Sequence, residues 1–122
     1  MKQALFVGLA GALGAICRIG IGEMLDGSPI ATLTVNLLGT FILCLLSAGV
    51  IQRLTTDKQL QTAITTGFLG SFTTFSAFSL ETVVFLQNGQ VLLGSLYVVV
   101  SIFGGLVLGM LGFRVGRKLV KT

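Results

Sequence analysis

Residues 67–81 read GFLGSFTTFSAFSLE. Four phenylalanines make the stretch greasy, yet it also holds two glycines, two adjacent threonines, three serines and a glutamate. Phe72, Phe75 and Phe78 are spaced by three, which on a continuous helix places them in one stripe. Gly67, Gly70 and the β-branched Thr73 and Thr74 lower helix stability. The combination predicts a local break in an apolar helix. At membrane depth a break persists only where the freed backbone groups find partners. Backbone carbonyls and threonine hydroxyls suit a hard cation such as Na⁺. The edge of a phenylalanine ring carries partial positive charge and faces an anion weakly. Ring edges, an asparagine amide and hydroxyl donors together replace the hydration of a small anion. Nothing in this set needs a moving carboxylate, so the pattern points to a passive path, not a proton-coupled pump.

The sequence around the stretch fits a membrane setting. Of the 122 residues, 53% are hydrophobic and only 10% charged, against about 25% charged in soluble domains. Four runs are long and apolar enough to span a bilayer: roughly 3–22, 30–52, 63–86 and 91–114. The first begins after Lys2 and resembles a signal peptide, but it continues too far and is too glycine-rich, so it reads as a retained span. The connections EMLDGSP, RLTTDKQLQ and QNGQ are short and punctuated by Gly27, Pro29 and Asn88-Gly89. They leave no room for a soluble domain, a nucleotide loop or a catalytic lid. The expectation is one all-α transmembrane domain over 1–122 and no enzyme. Histidine is absent, so there is no histidine metal ligand or ordinary titration switch near neutral pH. Cys17 and Cys44 lie in apolar runs without a CxxC spacing and read as small packing residues. The net charge of +4 sits at the ends of the spans, where interfacial anchors sit, which argues against nucleic acid as a partner.

Polar residues inside the spans are the next candidates, because they are costly in lipid. Asn36, in TLTVNLLGT, reads either as a helix–helix hydrogen bond or as a donor facing a pore. Arg18, in GAICRIG, either snorkels to the interface or draws anions toward a vestibule. Glu81 is either interfacial or paired with a cation. Tyr97 and Ser101 are one turn apart and share a face, though a membrane serine often bonds its own backbone four residues earlier. Gly8, Gly11, Gly14 and Ala15 recur at helical spacing in the first span. Gly105 with Gly109, and Gly112 with Gly116, do so in the fourth. Any one such pair reads as packing within the chain, and the two full faces together suggest contact with a second chain.

The stretch GFLGSFTTFSAFSLE resembles the third-helix signature of the Fluc/CrcB fluoride channels. GLAGALGAICR is similar to that family's first helix and ATLTVNLLGTF to its second, so the resemblance covers nearly the whole chain. The TTFS core together with the VN..G of the second helix is a specific combination. The resemblance implies passive, selective fluoride export that protects the cell. It implies antiparallel dimers with two pores in the cell membrane, the inner membrane where there are two. A central Na⁺ would be held by carbonyls of the broken third helices, here those of Gly70 and Thr73. Phe75 and Phe78 would be the paired rings of the fluoride path and Asn36 its amide. Thr74, Ser76 and Ser101 would add polar lining, with Tyr97 a weaker member, and Arg18 would be the arginine closing the first helix, at the vestibule. The chain departs from the pattern at Ser71, where the family often has a second glycine, and at Ala77, where a threonine would add a hydroxyl.

The charges raise a further expectation. One side of the membrane receives Lys2, Arg53, Lys58, Arg114, Arg117, Lys118 and Lys121, and the other only Arg18. Seven against one predicts both termini in the cytoplasm, whereas a chain inserting in both orientations calls for balance. Either the second subunit is a homologue of opposite topology, or the bias is weaker than the count and a second copy suffices. Two other functions compete. A small multidrug-type exporter needs a carboxylate deep in its first helix, and here none precedes Glu23. A non-conducting accessory subunit would use Asn36 and the TTFS hydroxyls only to join helices.

Overall fold

Pro29 opens the second helix in its first turn, behind Ser28 in an extended conformation, where the missing N–H costs nothing. At the other end of the bundle Asp57 caps the third helix by accepting the Gln59 amide N–H (2.9 Å). Between the first two helices Asp26 and Gly27 both take the left-handed conformation (φ 58° and 63°), and Gly89 does so between the last two (φ 74°). These local signals divide the chain into four helices. A computed structural model describes all residues, 1–122. In it α1 is Lys2–Met24, α2 Pro29–Leu54, α3 Lys58–Gln87 and α4 Val91–Lys121. All four are long and apolar enough to cross a membrane, and there are no strands.

The helices run alternately up and down, with α1 packed along the first half of α3 and α2 packed along α4. Glycine makes both contacts close. Gly14 lies against the Phe68 backbone and Gly67 against the Val7 backbone, joining α1 to α3. Gly112 and Gly116 lie against the backbone at Phe41 and Leu45, joining α4 to α2, and Gly109 and Gly112 face Cys44. The glycine faces are therefore largely used inside this chain. Gly8 and Gly105 alone of those pattern glycines stay open to the surroundings, so the faces do not by themselves point to a second chain. Cys17 lies on the outer surface of α1.

Two helices are interrupted. α2 widens to a π-helical turn over Leu46–Val50, where Gly49 takes φ 114° beside Val120. α3 is π-helical over Ala63–Leu69 and then breaks. Thr73 and Thr74 are extended (ψ 159° and 121°), and helix resumes over Phe75–Gln87. The two segments are called α3a (58–72) and α3b (Phe75–Gln87). Only 16 of 122 residues are buried, so most apolar side chains face lipid or a partner. Leu46, Ile51 and Leu69 form the small core, at the lower half of the bundle with Ile42, Leu45, Val50, Ile64 and Phe68 around them.

Candidate functional site: the broken third helix

The break lies halfway along α3, and its backbone is held by side chains from two other helices. Asn36 of α2 grips Thr74 on both sides. Its Nδ2 donates to the Thr74 carbonyl (2.9 Å), and its Oδ1 accepts the Thr74 N–H (2.7 Å). From α1, Arg18 Nε donates to the Ser71 carbonyl (3.0 Å). Thr74 caps α3b, its Oγ1 accepting the Ala77 N–H (3.2 Å). These partners explain why extended threonines are tolerated at membrane depth: side chains take the bonds that the Thr74 and Ala77 N–H groups would make in an unbroken helix.

The same bonds decide which carbonyls are released. In an unbroken helix the Thr74 N–H would close a turn on Gly70, and the Ala77 N–H would close one on Thr73. The first donates instead to Asn36 and the second to the Thr74 hydroxyl. Gly70 and Thr73, the two expected cation ligands, are thus two of the four carbonyls, with Ser71 and Phe72, that lose their regular donors at the break, and Ser71 accepts from Arg18 instead. Gly70 and Thr73 both line the larger cavity beside the break. Neutral carbonyl oxygens are suitable ligands for a hard monovalent cation. Two from one chain are only part of the oxygen shell that hard cations take. No cluster of His, Cys, Asp or Glu offers a different metal site.

Two cavities meet at Thr74. The larger, about 400 Å³, is lined by Asn36, Thr74, Phe75, Phe78 and Ser101 together with Gly70 and Thr73. The smaller, about 140 Å³, opens near the α1–α2 loop and is lined by Arg18, Ser28, Thr32 and Ala77. Thr74 lines both. The larger cavity holds no titratable side chain, and in the smaller one Arg18 is the sole charge.

The donors left over can be assigned bond by bond. Asn36 spends one N–H on Thr74 and keeps the other. It therefore joins two helices, the first reading of that residue, and also lines the cavity. Thr40 and Thr73 donate their hydroxyl hydrogens to the backbone at Asn36 and Leu69 and offer an anion only lone pairs. Ser101 makes no bond to its own backbone, so its hydroxyl is available to the cavity. Ser76 lies outside both cavities and reaches them only through Thr74, whose Oγ1 is 3.2 Å from its Oγ.

The phenylalanine stripe is not continuous. The break separates Phe72 from Phe75, so Phe72 is buried and stacks on Phe68 (centroids 6.0 Å apart). Phe75 and Phe78 remain a pair on α3b with centroids 5.9 Å apart, and Phe75 is 79% exposed. Phe78 leans on Tyr97 (5.3 Å), which also meets Phe85 (5.8 Å). Glu81 is not paired with a cation: it accepts the Tyr97 hydroxyl (2.9 Å). The sequence carried no signal for this bond beyond two polar residues in neighbouring spans. Tyr97 itself is buried behind Phe78, while Ser101, one turn on, reaches the cavity.

Comparison with known proteins bears on the same chain segment. Residues 5–113 match the family profile of CrcB-like protein, Camphor Resistance (CrcB). The chain is 44% identical over 119 residues to the fluoride-specific ion channel FluC 2 of Listeria innocua, covering 96% of this chain and 92% of that one. It is 46% identical over 112 residues to FluC 1 of Desulfitobacterium hafniense (89% and 98% covered). It is 43% identical over 126 residues to FluC of Thermus thermophilus (98% and 99% covered).

Proposed function

The chain belongs to the CrcB-like family of fluoride ion channels, which are not enzymes, and we propose that this multi-pass membrane protein forms half of a passive, fluoride-selective channel. The observation that carries the reading is the break at Thr73–Thr74. It gathers one spare Asn36 N–H, the Ser101 hydroxyl and the edges of Phe75 and Phe78 around one cavity without a titratable group. Fluoride is small and strongly hydrated, so it enters only where donors replace its water. A proton-coupled exporter needs a carboxylate at its site, and the four carboxylates here all lie outside both cavities.

In this reading Arg18 raises the local concentration of anions in the smaller cavity, which serves as a vestibule. Fluoride then passes Thr74 and runs along Phe75 and Phe78, down its gradient and out of the cytoplasm, relieving fluoride toxicity. A second subunit in inverted orientation completes the path and gives two pores. The exposure of Phe75 and Gly70 beside the larger cavity supports that partner, since a second chain could cover both. A two-fold pairing brings the Gly70 and Thr73 carbonyls of both chains together, completing an oxygen shell for a structural Na⁺ that pins the two breaks. The helix ends sort the charges as the sequence count requires. Arg53, Lys58 and the basic end of α4 gather at one end of the bundle with Lys2, and Arg18 lies toward the other. The inverted partner is accordingly a homologue of opposite bias, or a second copy if insertion ignores the count.

The test is ion efflux from liposomes holding this chain alone, read with fluoride and chloride electrodes together. Fluoride release without chloride release is the expected result and shows that one kind of chain suffices. No release from folded protein, restored by a homologue of opposite bias, assigns the second subunit. No release in either case replaces the channel reading with that of an accessory subunit.

A further inference from the structure

α4 is longer than a membrane needs. Its 31 residues span roughly 46 Å at 1.5 Å per residue, against about 30 Å of hydrocarbon. The excess has a distinct composition. Residues 91–113 carry no charge, and Arg114, Arg117, Lys118 and Lys121 fall in the last turns of the helix.

These four cations are not scattered around the helix. At 100° per residue, Arg114, Arg117, Lys118 and Lys121 share an arc of about 100°. Gly112 and Gly116, which pack on α2, lie on the opposite side. The arc continues upward without a turn in direction: Val107, Met110 and Leu111 fall on the same side. They form with Arg114 a groove of about 150 Å³. Met110 is 64% exposed, and all four cations are exposed. The groove is separate from both cavities at the break.

No carboxylate of the chain answers this charge. Glu23 and Asp26 lie at the opposite end of the bundle, Asp57 caps α3, and Glu81 holds Tyr97. Arg53 at the same end donates to the Val120 carbonyl, so the helix terminus is capped by a fifth cation. We propose that this outward face of α4 binds an anionic phospholipid. One acyl chain lies along Val107, Met110 and Leu111, and the phosphate sits among Arg114, Arg117, Lys118 and Lys121. The apolar groove ending at an arginine selects a lipid over a soluble anion, which would use only the basic end. Clustered basic residues just past a membrane helix are attracted to anionic headgroups, each contributing separately.

Purified protein in detergent is mixed with phosphatidylglycerol or phosphatidylcholine, and retained lipid is counted by native mass spectrometry. Phosphatidylglycerol is expected to be retained well over phosphatidylcholine. The R114Q/K118Q double variant is expected to weaken retention by roughly tenfold or more, with unchanged elution on size exclusion. K2Q/K58Q, which removes two cations from the same end of the bundle, leaves retention near wild type. Equal retention of the two lipids overturns the proposal, as does equal loss in K2Q/K58Q, which marks diffuse attraction. Displacement by millimolar inorganic phosphate reassigns the face to a free anion. Disulfide cross-linking of M110C between copies in liposomes gives the face to a second chain and likewise overturns the lipid site.

Discussion

α2 bends at Gly49 and α3 breaks at Thr73–Thr74, and the two interruptions are built from opposite materials. The first uses the one residue without a side chain, at φ 114°, and meets the methyl groups of Val120. Neither cavity at the break reaches it. The second uses two β-branched residues in extended conformation, which strand chemistry favours and helix chemistry does not. It persists because Asn36 and Arg18 bond the backbone from outside. A glycine bend is self-contained and leaves nothing polar behind. A bend that borrows side chains imports donors to mid-membrane and opens space around them. The difference separates a kink that shapes the bundle from one that lines a cavity with donors.

The largest break of that comparison is Asn36→Leu. The substitution keeps the branching and the number of side-chain heavy atoms and removes both bonds to Thr74, so a part-buried N–H and C=O lose partners at once. Stability is expected to fall by about 2–3 kcal/mol and fluoride efflux by roughly 100-fold, the more so because the spare amide donor goes too. Efflux from liposomes, with chemical denaturation in detergent alongside, reads both. If efflux survives at near wild-type rate, Asn36 is only interhelical glue and the donor assignment at the cavity is wrong.

Next come Phe75→Ile and Phe78→Ile, which test the face of the break that no backbone bond explains. Each keeps an apolar side chain and deletes the ring edge. Flux is expected to drop by about fivefold, since an aromatic edge contributes on the order of 1 kcal/mol. Assembly of the proposed dimer, followed by size exclusion, is expected to hold. Loss of assembly in step with flux would turn the pair into packing residues, as Phe72 is.

Phe72 shows where sequence reasoning stops. The four helices follow from hydropathy, and Pro29 and Asn88-Gly89 mark their limits, because those signals are local. That α3 is interrupted was also legible, from weak helix formers crowded into one apolar run. The exact place was not. Of the four weak helix formers, Gly67 and Gly70 stay helical, with Gly70 at φ −62°, and the two threonines open. What decides this is Asn36, 38 positions away in sequence, and Arg18, 53 positions from its acceptor at Ser71. Spacing within a helix carries no information about such partners. Once the break is misplaced or ignored, a three-residue period misassigns Phe72 to the stripe. The glycine patterns suffer the same limit: their spacing announces a close approach but not to whom, and here α1 meets α3 and α4 meets α2 within one chain.

Gly49→Ala is the smallest expected effect on transport and the control that sharpens the contrast. A Cβ at φ 114° is strained, and it would come within 3.2 Å of Val120 Cγ2. The variant is expected to lose about 1–3 kcal/mol of stability, the usual cost of one residue held in a sparsely populated conformation. Fluoride efflux per folded protein is expected to stay within about twofold of wild type, because a strained backbone away from the cavity alters the folded fraction and not the path. Stability and flux therefore part company: Asn36→Leu moves both, and Gly49→Ala moves only the first. A Gly49→Ala protein that folds as well as wild type but conducts poorly would mean that the α2 bend reaches the pore through α4. The two interruptions would then be one mechanical unit.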